Sequence, residues 1–202
     1  PGLTVSLRGL LEVELHCEAL SADVHSGLWG GMVPDVSIAL VKLIARLTDD
    51  AGRMKVGRVD VPADWREQAW NTPLTREVIR SGAHIVDGVD PLPDRGTPPA
   101  EWMWRQPAVT VVATTLPTAA NKKNALRQSA SATLSVRLAP GQTAADMTAE
   151  LERVDPLPEI QHLCRARVHW SRGVARHCPA QSSPEPAARK LRASRSLGTP
   201  RP

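Results

Sequence analysis

The chain of 202 residues contains no phenylalanine and no tyrosine, and it has only three cysteines, Cys17, Cys164 and Cys178. Cysteines so few and so scattered exclude a disulfide-stabilised secreted scaffold and favour a reducing, cytoplasmic location. The sequence has no apolar run long enough for a membrane-spanning helix and no secretion signal, so we expect no membrane partner. It begins with Pro1 rather than Met, as an excised domain or a fragment would.

Positive charge is concentrated towards the C-terminus. The formal net charge is +4, but residues 155–202 hold nine Arg or Lys against three acidic residues, a net +6, which leaves −2 for residues 1–154. The basic stretch lacks the interleaved aromatic residues and the helical face of a nucleic-acid-binding segment. We therefore expect no nucleic-acid partner, and we expect residues 155–202 to be a disordered basic tail.

The strand predictions come from alternation. Residues 4–18 and 129–138 alternate apolar and polar side chains with the period of a half-buried strand. Residues 107–116 are β-branched and apolar, which is typical of a buried strand. Amphipathic helices are predicted after Pro34 and over the stretch AADMTAELERV.

The order of these elements predicts an α+β domain over residues 1–154. The predicted elements follow the order of a ferredoxin-like layer, which is an antiparallel sheet with two helices on one face. In chain order they are a strand, a helix, an insert, two strands and a helix. Only residues 163–170 could pass as a fourth strand, and they lie in the arginine-rich region. We therefore expect the sheet to lack its last strand.

A glycine-rich loop follows the first predicted strand. It reads D-x-H-S-G-x-x-G-G from Asp23 to Gly31, is preceded by Arg8–Gly9 and is followed by the predicted helix at Pro34. Further along, the stretch NALRQSASATLSVRLAPGQ contains the pattern S-x-R-x-x-P-G. Together the two motifs resemble the dimerisation (lid) domain of the M20 family of zinc metallopeptidases, in particular its carnosinase-like dipeptidase branch.

The resemblance implies a homodimer whose catalytic domains each hold two zinc ions and hydrolyse a small peptide substrate at a peptide or amide carbonyl. It implies that His25 points at the developing oxyanion of the partner's active site, and that Asn124 and Arg137 hold the carboxylate region of the substrate in that same site, so that all three residues act in trans. An imidazole N–H donor suits an oxyanion, and the rigid fork of an arginine suits a carboxylate.

The loop glycines and the site residues also have structural interpretations. Gly27, Gly30 and Gly31 are expected to adopt positive φ and to leave room for the partner. Alternatively, His25 only caps the helix region at Pro34, Asn124 is an ordinary turn residue and Arg137 is a solubilising surface charge.

The metal ligands and the general base that the family carries outside the lid domain are missing. The chain has no His-x-Asp motif and no Glu-Glu pair, and Arg127 stands where the family has a proline. We expect zinc only in the parent enzyme, no metal bound to this chain and no activity of the chain alone. The scattered histidines and cysteines after position 161 match no zinc-finger spacing.

Three hypotheses follow. In the first, the chain is the lid fragment of a zinc peptidase, and its last fifty residues or so are translated out of frame. In the second, it is a non-catalytic interaction module that dimerises through a sheet edge and a helix. In the third, it is a complete enzyme with another site, which the absence of a cluster of acidic residues with histidine disfavours. The role of His25 distinguishes the first two.

Overall fold

The structure is a computed structural model that describes residues 8–93, 95–154 and 163–169. In chain order its elements are β1 (Leu10–Glu18), β2 (Val24–His25), α1 (Ser26–Trp29), α2 (Val36–Ala45), α3 (Ala63–Ala69), α4 (Arg76–Gly82), α5 (Pro99–Trp104), β3 (Ala108–Thr114), a 3₁₀ turn (Ala119–Asn121), β4 (Ala125–Leu126), β5 (Ser129–Arg137), α6 (Ala144–Val154) and β6 (Arg165–His169).

Four of the strands form one antiparallel sheet in the order β3-β5-β1-β6. Its centre is the pairing of β1 with β5, which runs without a break from Leu10 opposite Arg137 to Glu18 opposite Ser129. β3 lies at one edge of the sheet. The predicted α+β class, with an antiparallel sheet and helices, is confirmed, and the ferredoxin-like assignment stays a prediction.

One face of the sheet is covered by helices. β1 and β5 both bury every second residue, because successive side chains of a strand point to opposite faces. The buried side chains of the two strands pack in one core with apolar residues of α2 and α6, among them Leu40 and Met147. None of the helices in the described part of the chain has the length and apolar character that crossing a bilayer requires.

The expectation that the sheet lacks its last strand is wrong. β6 pairs with the free side of β1, with Arg165 opposite Glu18 and Val168 opposite Leu15. Its five residues contain only two apolar ones and follow an abrupt change of composition, so local alternation is weak there. β6 lies within residues 163–170, the stretch that could pass as a strand, but its place in the sheet comes from the non-local pairing with β1. The sheet therefore extends beyond the predicted boundary at position 154.

The predicted disorder and frame shift of the tail concern residues 155–202. Of these, residues 163–169 are described and contain β6, whereas residues 155–162 and 170–202 lie outside the described residues.

The insert between α2 and β3 is held by a buried carboxylate. Glu101 in α5 is only 2% exposed. It accepts hydrogen bonds from Arg66 Nε at 2.6 Å and Nη2 at 3.1 Å, and from Gln106 Nε2 at 3.0 Å. Burial raises the pKa of Glu101, but the bonds from Arg66 and Gln106 and the Arg66 charge outweigh it, so that the pKa of this carboxyl lies below its ordinary value.

We predict a pH-dependent contribution of Glu101 to stability. Because its folded-state pKa is lowered, the carboxylate stabilises the fold above the unfolded pKa of about 4.3, and this stabilisation is lost as the pH falls through the folded-state pKa. Glu101→Gln should therefore lower the free energy of unfolding by about 1–3 kcal/mol at pH 7, and by less as the pH approaches 2. Urea unfolding at pH values from 7 down to about 2 measures the loss of unfolding free energy and its dependence on pH.

The matched control is Glu152→Gln, at an exposed position on α6, which should change the free energy of unfolding by less than about 0.5 kcal/mol. An equal loss for Glu101→Gln at every pH would contradict the proposed charge-dependent role.

Candidate functional site

His25 and Asn124 are brought together by a two-residue ladder. β2 and β4 pair antiparallel, with Val24 opposite Leu126 and His25 opposite Ala125. The ladder continues where the Ser26 N–H donates to the Asn124 carbonyl at 3.0 Å. His25 and Asn124 are both exposed. The structure thus places two of the three predicted polar site residues next to each other, His25 in β2 and Asn124 immediately before β4.

A charge clamp holds this ladder against the sheet. The carboxylate of Asp23 accepts the Gln128 N–H at 3.0 Å and the Arg127 Nη1 at 3.1 Å. Arg127 Nη2 also donates to the Asn121 carbonyl at 3.2 Å. The hydrogen bond from the Gln128 N–H, followed by the bond and charge of Arg127, lowers the pKa of Asp23. The clamp therefore keeps its negative charge at neutral pH.

Sequence reasoning missed this role of Asp23 and Arg127. The two residues are 104 positions apart, so no local periodicity could pair them. The available signal was the unusual residue itself, because Arg127 stands where the family pattern has a proline.

The ring of His25 caps a one-turn helix. His25 is the N-cap of α1, and its Nδ1 accepts the Gly27 N–H at 3.0 Å. Since Nδ1 is the acceptor, the neutral imidazole carries its proton on Nε2, which is then a hydrogen-bond donor. The alternative that His25 caps the helix following Pro34 is wrong, because that helix, α2, is capped by Asp35, whose Oδ1 accepts the Ser37 N–H at 2.8 Å.

The three loop glycines serve two different purposes. Only Gly31 has a positive φ, of 82°. A Cβ on Gly27 would lie 2.8 Å from Cε1 of His25, and one on Gly30 would lie 2.4 Å from the Ser26 carbonyl oxygen. The expectation of positive φ is therefore wrong for Gly27 and Gly30. Both allow close packing of the loop, and Gly27 keeps the His25 ring in its capping position.

Exposed apolar side chains follow His25 along the loop. Leu28 is 71% exposed, Trp29 is 47% exposed and Met32 is 82% exposed. Large apolar side chains clustered at a protein surface mark contact sites. The loop that carries the His25 imidazole thus has exposed apolar side chains that could contact an apolar surface of a partner.

Arg137 lies far from His25. Ser129 begins β5 beside the Asp23 clamp, whereas Arg137 ends it. Eight steps along a strand of about 3.4 Å each separate these residues by about 27 Å. The structure therefore does not bring Arg137 together with His25 and Asn124, and one chain cannot place all three on one small substrate.

The two zinc ions implied by the resemblance have no ligand set in the described ranges. No group of three or more His, Cys, Asp or Glu side chains there could hold a metal ion. Cys17 and Cys164 are both buried. The described residues do not fit a zinc centre. His162, His177 and Cys178 of the basic tail lie outside them.

Comparison with known proteins agrees with the motifs. Residues 5–154 match the peptidase dimerisation domain of the M20 family. The chain is 32% identical to a cysteinylglycine-S-conjugate dipeptidase of Corynebacterium striatum over 174 residues, which are 86% of this chain and 35% of that relative. It is 37% identical to the Cys-Gly metallodipeptidase DUG1 of Saccharomyces cerevisiae over 60 residues, 30% of this chain and 12% of that one.

Solved structures show the same fold. Human carnosine dipeptidase 1 superposes with a TM-score of 0.66 at 19% identity, over 90% of this chain and 40% of that one. The chain spans about a third of the length of the Corynebacterium striatum relative. Because the family match covers most of the sequence, the chain belongs to the M20 peptidase dimerisation-domain family.

Proposed function

We propose that this chain is the dimerisation and lid part of a zinc-dependent M20 peptidase that hydrolyses a dipeptide or a similar amide. The observation that carries the proposal is the presentation of His25, exposed on a clamped, glycine-packed loop with Nδ1 occupied. The relatives are a cysteinylglycine-S-conjugate dipeptidase, a Cys-Gly metallodipeptidase and a carnosine dipeptidase, and these names favour a dipeptide substrate. The zinc-binding half and a cytoplasmic location belong to the same proposal.

His25 acts as an oxyanion donor in this proposal. A neutral imidazole with its proton on Nε2 offers one N–H, and the capping bond at Nδ1 fixes the plane of the ring. A donor oriented in advance at the position of a developing negative charge stabilises the transition state more than the substrate. Asn124, exposed immediately before the neighbouring strand β4, adds a polar contact to the substrate.

The two ends of the sheet serve two different active sites. β1 starts beside Arg137, and β6 runs back from Glu18 towards that same end. In the longer relatives the rest of the chain would therefore join the domain at the Arg137 end. We propose that Arg137 reaches the substrate of its own subunit and that His25 and Asn124 reach that of the partner, which revises the expectation that all three act in trans.

The homodimer is proposed to form through the outer edge of β3 and the outer face of α2. Within the described residues β3 has no strand on its outer side, and Val111 and Val112 are exposed on it. α2 exposes Ile38 and Val41. An unpaired edge with apolar side chains is a template for pairing with another strand. A second copy would continue the sheet across the interface.

An interaction module without a catalytic role is the alternative. An interaction module would dimerise through the same β3 edge and the same face of α2. Measuring dimerisation therefore does not distinguish it from the lid of a peptidase. His25 does, because an interaction module does not need an oriented imidazole.

Replacing His25 with Ala tests the catalytic proposal. The test enzyme is the Corynebacterium striatum relative with its dimerisation domain exchanged for residues 8–169 of this chain. Loss of one oxyanion donor should lower kcat by about 10²–10³-fold with little change in KM. Steady-state hydrolysis of a cysteinylglycine S-conjugate, the substrate class in the name of that relative, measures kcat and KM.

Lys122→Ala in the same exchanged enzyme is the control, because it removes an exposed side chain close to Asn124 in the chain and retains the imidazole. An unchanged kcat for His25→Ala in a properly dimeric enzyme would leave only the interaction-module hypothesis.

Val112→Lys tests the dimer interface in the full chain. Val112 is 54% exposed on β3, and a lysine on an edge strand opposes pairing with another strand. We expect the dimer dissociation constant to rise by about tenfold or more, which corresponds to about 1.4 kcal/mol. Sedimentation equilibrium gives this constant.

The control for this variant is Val86→Lys, at a position in the insert that is 68% exposed and should leave dimerisation unchanged. Equal dimerisation of the Val112→Lys protein and the unmodified chain would place the interface elsewhere.

A further inference from the structure

Two arginine side chains meet at the end of the sheet that holds Arg137. The Gly9 carbonyl accepts the Leu138 N–H at 2.9 Å, and Arg137 lies opposite Ala108 of β3. Arg8 Nη1 donates to the Gln106 carbonyl at 3.0 Å, two residues before Ala108. The side chain of Arg8 therefore crosses from the β1 side of the sheet to the β3 side, past the end of β5 where Arg137 stands.

These two guanidinium groups lack a neutralising partner within the described residues. Arg137 forms no hydrogen bond or ion pair there, and Arg8 bonds only to the neutral Gln106 carbonyl. Burial, and then the nearby positive charge of Arg137, lower the pKa of Arg8. Two like charges held side by side attract an anion.

Arg8 is held in place by the buried network of the insert. The side chain of Gln106 donates to the Val59 carbonyl at 2.8 Å and to Glu101 at 3.0 Å, and it accepts the Val59 N–H at 3.2 Å. Through its side chain, Gln106 is thus bonded to Val59 and to Glu101. These bonds hold the residue whose carbonyl accepts the hydrogen bond from Arg8. Of the guanidinium donors of Arg8, Nη1 is used for this anchor, so Nε and Nη2 remain for a ligand.

We propose that Arg8 and Arg137 together bind one carboxylate, the C-terminal carboxylate of a short peptide. Arg8 is then a second substrate-binding residue, which the insert holds in place beside Arg137. Arg137 is the arginine that the proposed function gives to the substrate carboxylate. A pair of guanidinium forks matches the two oxygens of a planar carboxylate. This inference rests on the proposed function, because that function places the substrate carboxylate at Arg137.

The test uses the full chain and two small ligands at constant ionic strength. N-acetylglycine carries the carboxylate, and N-acetylglycinamide replaces it with a neutral amide. Titration followed by NMR of the arginine Nε–Hε groups should show binding of the carboxylate and not of the amide. Arg8→Gln and Arg137→Gln should each weaken this binding by about tenfold or more, since each removes a charge-assisted bond.

Two further variants keep the test decisive. Arg153→Gln removes an exposed arginine of α6 and should bind like the unmodified chain. Arg8→Lys keeps the charge but loses the fork, so its binding should be weakened less than that of Arg8→Gln. It replaces Arg8→Gln if that variant does not fold.

The outcomes separate the inference from the function on which it rests. Weaker binding in Arg137→Gln together with unchanged binding in both Arg8 variants would overturn the role of Arg8 and leave the proposed function intact. No preference for the carboxylate over the amide in the unmodified chain would overturn both the paired site and the proposed role of Arg137.

Discussion

The pairing of β1 with β5 is the constraint on which the rest of the structure depends. Nine consecutive residue pairs, from Leu10–Arg137 to Glu18–Ser129, fix the length of the domain and the face that the helices cover. The same pairing holds the His25 loop and Arg137 at opposite ends. Any chemistry that needs both residues on one small molecule therefore needs two chains, so the dimer is part of the proposed active site.

Much of the fold could be predicted from the sequence because its signals are local. The alternation over 129–138 and the apolar period after Pro34 correspond to β5 and α2, which bury one face each. Residues 163–170 had a weak strand pattern, but the pairing of β6 with β1 was not predicted because the two strands are far apart in the chain. The prediction of a positive φ at Gly27 was wrong because glycine is required there by the close approach of the His25 ring. The sequence alone does not give such contact distances.

The candidate site was predictable in its residues but not in its arrangement. The glycine-rich motif identified His25, and the second motif identified Asn124 and Arg137. Their separation depends on the length of β5 and on the two-residue ladder that brings Asn124 to His25. The Asp23–Arg127 clamp and the contact of Arg8 with Gln106 join residues about a hundred positions apart. Such long-range pairs are properties of the folded chain.

Subunit complementation tests the division between the two ends most directly. In the exchanged Corynebacterium striatum enzyme, His25→Ala and Arg137→Gln would each inactivate both sites of a homodimer. When equal amounts are dissociated and reassociated, half of the dimers are mixed, and each mixed dimer has one site with both residues intact. The account predicts recovery of about a quarter of the unmutated activity. Activity of the mixture no higher than that of the separate variants would show that one chain supplies both residues to the same site.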